Sequence, residues 1–546
     1  MSLHIARHTL LVAIALSIAV SAQQAPAPQA TAQPAGKGII RGVVTAADTG
    51  KPIRGVGIQI YSMDSAQPES RSVSTDAQGR YEFSGLKAGR YGLNAQKAGY
   101  LNAGPGQTRP GQASRPVDVS ETIPLDKIDI ALTRAGVIVA RITDPFGDPV
   151  RGVTVRPMRQ RFTEGRRQLS AVVGIGGSLT DDRGETRIYG VPPGEYYLAA
   201  VPDFSTTWRG EVETLFPGTL DVATAQTVGV GAGQEAFATF PILRSRLASL
   251  SGRIVGSDGA PLTAPYVSLE QLRLSGGGSS RRLNVAPDGS FHEQNLAPGD
   301  WMIVANEPES GNVRVRLLGE DIQGLTVSTR KAATVRGRVT FEGAPPPTNP
   351  VELGVAFDGP RTLVGGAGWI RSGSRVGTIP VEPETQWAFE AQVSGTGVFR
   401  PRAGAGWILK AVLLGGKDVT DTLLDFGTAY AGKTVEVVLT QRKGEVSGIV
   451  QNDRGQLTSD YRVVVFPEDE AQWTPFSRSF ALGGPDQQGR FTIRNLPPAR
   501  YLAAAVESLE QGEDRNPEVL SRLRGAATAF ELSEGESRSV TLRLTR

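Results

Sequence analysis

The sequence predicts an all-β protein, a tandem array of about five seven-stranded Greek-key β-sandwiches after a signal peptide. Three observations lead there. At 546 residues the chain exceeds the ~250–300 residues at which single cores stop growing. Its 66 glycines and 36 prolines suit short strands joined by tight turns better than long helices. Above all, one unit of strands and turns recurs along the chain.

The N-terminus is set apart from that pattern. MSLHIARH carries Arg7, TLLVAIALSIAV supplies a short apolar core, and Val20-Ser21-Ala22 ends it in small residues, the form of a secretory signal peptide over residues 1–22. The apolar run is too short for a membrane span, and no later segment is long enough for one. Residues 23–37, QQAPAPQATAQPAGK, read as a Pro/Ala/Gln linker with nothing to bury. The chain has no cysteine, which removes disulfides, thiolate chemistry and a lipid-modified cysteine, so the exported product is expected not to be a lipoprotein. A net charge of +3 without long like-charge runs gives no basis for nucleic-acid binding.

The unit has two halves. The first is strand, polar turn, strand, as in GVVTAADTGKPIRGVGIQI from Gly42 and ARITDPFGDPVRGVTVRPM from Ala140. GRIVGSDGAPLTAPYVSL from Gly252 follows, with looser forms from Gly337 and Gly448. Alternating Val/Ile on both sides of a Gly/Asp/Pro cluster is a hairpin signal. The second half opens on turn chemistry: Asp76 to Gly79, Asp182 to Gly184, Asp288-Gly289 and Asp486 to Gly489. Aspartate hydrogen-bonds its own backbone ahead, and glycine accepts positive φ. The aspartates at 76, 182 and 288 give a period of about 106 residues. An alternating strand then leads to Leu-x-x-Gly-x-Tyr: Leu86, Gly89 and Tyr91, then Val191, Gly194 and Tyr196. The third copy has Leu296, Gly299 and Trp301, the fifth Leu496, Ala499 and Tyr501, and the fourth is degenerate, ending at Gly406-Trp407. This stretch reads as a tyrosine corner, in which a buried ring hydrogen-bonds a backbone group. Trp301 and Trp407 lack the hydroxyl, so those copies are expected to keep the packing and lose the bond.

These spacings place sandwiches at 38–134, 135–245, 246–333, 334–443 and 444–546, read as beads in series. The pattern Gly-x-Val, Gly-x-Pro, Thr-Asp-x-x-Gly-x-Tyr-x-Phe and Leu-x-x-Gly-x-Tyr resembles the carboxypeptidase regulatory-like domain, closely over residues 41–100 and well over 140–201. The third and fifth copies match moderately and the fourth poorly. The resemblance implies a transthyretin/immunoglobulin-like sandwich grouped with carbohydrate-binding-like folds, and not the peptidase itself.

Catalytic chemistry finds little support. A zinc peptidase site needs two histidines and a carboxylate, yet only His292 follows the signal peptide, so no metal, cofactor or catalytic residue is expected. GTAYAGKT, Gly427 to Thr434, satisfies the P-loop pattern, but VEVVLT follows it as a strand where a phosphate loop must feed a helix, so no nucleotide is expected. The remaining binding candidates are Trp208, Trp369 and Trp473, aromatics in the segments where the copies differ, whose flat rings suit sugar faces. The sequence thus points to a non-catalytic exported binding or spacer protein of the periplasm, outer surface or extracellular space. Its partner would be a polysaccharide or an envelope protein, an outer-membrane receptor or a peptidase among them.

Overall fold

The computed structural model describes residues 36–545 apart from 65–68, 164, 173, 203–209, 263–264, 276–279, 308, 345–350, 358–378, 382–385, 394–395, 403, 405 and 427–431. The signal peptide and nearly all of the linker therefore lie outside the described residues. Strands dominate, and the one α-helix among the described residues is Pro517–Arg524. Asn516 caps it by accepting the Glu518 N–H at 3.1 Å, with proline at the first helical position.

The strands form five sandwiches, each around its own apolar core. A single topological rule unites them. The first strand of each unit runs antiparallel to the strand after the Asp-Gly turn and parallel to the strand that closes the unit. In the first sandwich these are Gly38–Ala46, Arg80–Leu86 and Ile130–Leu132. In the second they are Gly136–Thr143, Glu185–Val191 and Glu235–Pro241. Ala248–Val255, Ser290–Leu296 and Ile322–Ser328 repeat the arrangement. So do Ala333–Glu342, Ala388–Val393 and Val435–Thr440, and then Gly444–Gln451, Arg490–Leu496 and Ser537–Thr545. The degenerate fourth copy obeys the rule as fully as the others. Facing this sheet in the first sandwich is a second one of Ser70–Ser74, Gly57–Ser62, Gly89–Gln96 and Val117–Val119. In the fifth the two sheets join, because Ala505 and Val506 pair with Leu544 and Thr545.

The glycine at the middle of the first strand has a packing cause. Gly42 lies opposite Tyr81, Gly252 opposite Phe291, Gly337 opposite Phe389 and Gly448 opposite Phe491. In all four a β-carbon would stand within 3.0 Å of that ring and within 2.2 Å of a carbonyl oxygen at or beside the closing strand. In the second sandwich the ring is replaced by Thr186, and the residue opposite is Ala140, fully buried. Glycine thus accompanies the aromatic partner and alanine the small one, as steric exclusion requires.

The turns that lead into the second-half strands follow one geometry with two departures from the sequence reading. Asp76 Oδ1 accepts the Gln78 and Arg80 N–H groups at 2.9 and 2.8 Å, and Asp486 does the same for Gln488 and Arg490 at 2.9 and 2.8 Å. In the second copy Asp181, not Asp182, makes the equivalent bonds, to Arg183 and Glu185. In the third, Ala286 takes that place and Asp288, two positions on, accepts from Ser290 instead. The glycines at 79, 184, 289 and 489 all have φ near +70°, and the first three recur every 105 residues, not 106. Thr75 and Thr180, just before the turns, are buried and clip the two halves of their units together. Each accepts a backbone N–H (Val56, Val153) and donates to a carbonyl (Ile53, Val150).

Leu86, Leu296 and Leu496 lie in their cores, and the corner rings of Tyr91, Tyr196, Trp301 and Tyr501 are all at most 3% exposed. Each reaches the carbonyl four residues upstream: Tyr91 to Lys87 at 3.1 Å, Tyr196 to Pro192, and Tyr501 to Pro497 at 2.7 Å. Trp301 keeps the bond that the sequence reading had it losing, because its indole Nε1–H donates to the Ala297 carbonyl at 2.9 Å. Trp407 packs its ring on Phe341 at 5.0 Å. Gly89, Gly194 and Gly299 sit two residues before their corner rings at the start of those strands.

Candidate functional site

Trp208 and Trp369 lie outside the described residues. Trp473 is half-buried, its ring edge-on to Phe466 and its indole N–H on the Pro467 carbonyl at 2.9 Å. It belongs to a secondary core between one sheet of the fifth sandwich and the helix Pro517–Arg524, beside Leu502, Val519 and Leu520. Of the three tryptophans, Trp473 is the one that lies among the described residues.

The segments where the copies differ serve another purpose in the fold: they join sandwiches to each other. The loop before Val117–Val119 is braced internally, with Gln112 Oε1 accepting the Thr108 N–H at 2.8 Å. It reaches the fifth sandwich through Gln112 Nε2 to Asp460 at 3.2 Å, Arg109 to Asp460 and Glu507 at 3.4 and 3.3 Å, and Arg115 to the Ser459 carbonyl. The hairpin of Thr154–Thr163 and Arg166–Ala171 in the second sandwich meets the stretch of the fifth that runs between its strands Ala499–Val506 and Thr528–Leu532. There Arg161 donates to Gln511 at 2.5 Å and Arg167 pairs with Glu518 at 3.4 Å. Gly512, at φ +90°, comes so close that a β-carbon would stand 2.0 Å from the Phe162 carbonyl oxygen.

The fourth and fifth sandwiches meet through a cluster of charged side chains. Asp421 accepts from Arg400 at 2.8 Å and lies 3.3 Å from Arg478. Arg400 also donates to the Phe476 carbonyl at 2.5 Å, and Arg478 to that of Leu409 at 2.5 Å. Burial pushes the Arg400 guanidinium below its ordinary pKa, and Asp421 opposes that shift. Lys410 bridges Glu342 and Glu534 across the same interface. Neighbours in sequence also touch: Ala135 N–H to the Gly99 carbonyl at 3.0 Å, Glu213 to the Ser275 N–H at 2.9 Å, and Arg330 to Asp425 at 3.0 Å. The beads are not simply in series. The fifth closes back on the first and second, and the array forms a ring.

At the seam of the first and fifth sandwiches is a cleft of about 320 Å³, lined by five arginines and two aspartates. Arg90 and Arg115 come from the first sandwich, and Arg462, Arg490 and Arg494 from the fifth. Arg90 faces Asp118 at 3.6 Å, and Arg494 turns to Glu445 at 2.7 Å. Arg115 holds the Ser459 carbonyl and leaves Nε buried without a partner. Tyr461 lines the cleft too, its hydroxyl on the Gly489 carbonyl at 3.0 Å, and burial pushes its pKa up. Sequence reasoning missed this site entirely, since its two walls lie more than 300 residues apart.

Other chemistry is sparse. His292 is exposed on its strand, with Gln294 Nε2 2.8 Å from its ring nitrogen. Among the described residues no three His, Asp or Glu side chains sit close enough to hold a metal ion, and no helix is long and apolar enough to cross a membrane. Residues 427–431 of the P-loop-like stretch lie outside the described residues, and Gly432–Thr434 lead into the strand Val435–Thr440.

Residues 39–120 match the family of carboxypeptidase regulatory-like domains. No curated protein matches the chain. Among solved structures a streptococcal ancillary pilin is similar at 11% identity, covering 54% of this chain and 98% of that one with a TM-score of 0.21. The minor pilin GBS52 of Streptococcus agalactiae is similar at 18% identity, over 38% and 95%, with a TM-score of 0.21. The TIE protein of Bacillus anthracis aligns over 92% and 72% at 10% identity, with a TM-score of 0.16.

Proposed function

We propose that the chain is a non-catalytic exported protein that works by binding and spacing in the cell envelope or outside the cell. The observation that carries this reading is the use made of the variable segments. In multi-sandwich chains function is expected in the loops. Here those loops tie the sandwiches into a ring. The N-terminal 22 residues supply the route of export. A glycan partner would meet Trp208 and Trp369, whereas Trp473 is engaged within its own sandwich.

A second reading, contact with an envelope protein such as a receptor or peptidase, is favoured by the outer face of the second sandwich. Tyr189 and Phe237 stand there 79% and 72% exposed on a three-stranded sheet, either side of the strand that carries Val137 and Val139. Contiguous exposed apolar patches mark interaction surfaces. Both readings are tested by crosslinking in the intact envelope of producing cells, followed by N-terminal sequencing of the recovered chain. The expected result is a chain beginning near Gln23, outside the cytoplasm, joined to an envelope component. Recovery of an unprocessed chain from the cytoplasm would overturn the proposal. Loss of the adduct in Tyr189→Ala/Phe237→Ala would select the protein-contact reading.

A further inference from the structure

We infer that the cleft between the first and fifth sandwiches binds a small ligand carrying two or more oxyanion groups, carboxylates or phosphates. This rests on the binding role proposed above and on the docking of those two sandwiches. The cleft's volume, about 320 Å³, lies within the ligand-sized range. Its charge is one-sided, and both aspartates are already engaged: Asp118 beside Arg90, and Asp486 in its own turn. Arg462 and Arg490 have no ion pair and no side-chain hydrogen bond among the described residues, and Arg115 has one buried N–H without an acceptor.

Guanidinium groups gathered at one seam repel each other unless an anion lies between them, and their planar donor pairs fit carboxylate and phosphate oxygens two at a time. The site offers no platform for a neutral sugar. Tyr461, its one aromatic lining residue, is fully buried and its hydroxyl is engaged. Two unpartnered guanidiniums match a ligand with at least two anionic groups. Because arginines of both sandwiches face the cleft, such a ligand would also hold the ring closed, and its binding would raise the stability of that contact.

The test is titration calorimetry on the mature chain at low salt, with sodium pyrophosphate and a trigalacturonate as separate probes. At least one should bind saturably at one site per chain, and the stronger arm tells phosphate from carboxylate. The double variant R462Q/R490Q should weaken binding at least tenfold with unchanged thermal unfolding. A control variant removing two exposed arginines elsewhere in the first sandwich, R54Q/R80Q, should bind as the wild type does. No saturable binding of either probe would overturn the inference, as would equal losses in both double variants. Failure of binding with an intact seam, reported by crosslinking of residues 112 and 460, would leave the ring and the wider reading standing.

Discussion

Gly448 stands at the middle of the strand Gly444–Gln451, where a β-carbon would lie 1.9 Å from the Val540 carbonyl oxygen and 3.0 Å from the Phe491 ring. Neither neighbour is a flexible chain end. The carbonyl belongs to the closing strand Ser537–Thr545, paired in parallel over seven residues, and Phe491 is fully buried. Gly448→Ala must therefore push the closing strand away by more than 1 Å and shift the ring as well. Overpacking of this kind costs about 1–3 kcal/mol. A disturbed ladder bond adds roughly 1 kcal/mol, and alanine's better strand entropy returns about 0.5–1 kcal/mol. The net loss is about 1–3.5 kcal/mol, which for a ~100-residue sandwich lowers its unfolding temperature by roughly 5–25 °C. Differential scanning calorimetry of the mature chain should show one transition moving down while the others stay. The reverse change at the equivalent place, Ala140→Gly, should cost only ~1 kcal/mol, because it removes a methyl group and relieves no clash. If G448A leaves every transition in place, or A140G proves the more damaging, the steric reading of the Gly and aromatic pairs is wrong.

Two further outcomes follow from single side chains. Burial raises the Tyr501 hydroxyl to about 12 from its ordinary value of 10, so the folded state keeps it neutral after the unfolded chain has begun to ionise. That contribution is complete below pH 10 and is lost as pH rises to about 12, a swing of roughly 2–3 kcal/mol. Tyr501→Phe should cost ~1 kcal/mol at pH 8 through the orphaned Pro497 carbonyl. Urea unfolding at pH 11.5 should find the gap closed or reversed, and a gap unchanged between the two pH values would refute the assignment. Asp421→Asn leaves Arg400 and Arg478 without their shared carboxylate at the fourth and fifth sandwiches' contact. It should weaken that contact by about 2–3 kcal/mol and expose the segment around Phe476 to protease, whereas digestion at the wild-type rate would count against the lock.

The repeating unit was legible because its signals are local. Asp76 bonds two and four residues ahead and Tyr91 four residues behind, so both motifs survive as short spacings in each copy. The same locality misled at Asp182 and Asp288, where a neighbouring aspartate drew the alignment one or two positions off the residue that holds the turn. At Trp301 the hydroxyl is missing, but the indole N–H reaches the equivalent carbonyl, which a residue-type comparison does not reveal. The partnership of Gly42 with Tyr81, against Ala140 with Thr186, could have been seen by laying the copies side by side, since it needs only strand register. The arginine cleft could not. Arg90 and Arg490 are brought together by sandwich docking, which depends on irregular loops with no period to follow.

The closed ring is tested most directly by joining its two ends. The chain has no cysteine of its own, so the pair Gln112→Cys and Asp460→Cys, whose native side chains are 3.2 Å apart, reports one contact without background. Treated with oxidant or a short bismaleimide at high dilution, the double variant should crosslink within single chains nearly to completion. It should then run faster than its reduced form under denaturing electrophoresis, while each single variant stays unchanged. Two free thiols after treatment, or links only between chains, would mean that the first and fifth sandwiches do not meet and that the array is open.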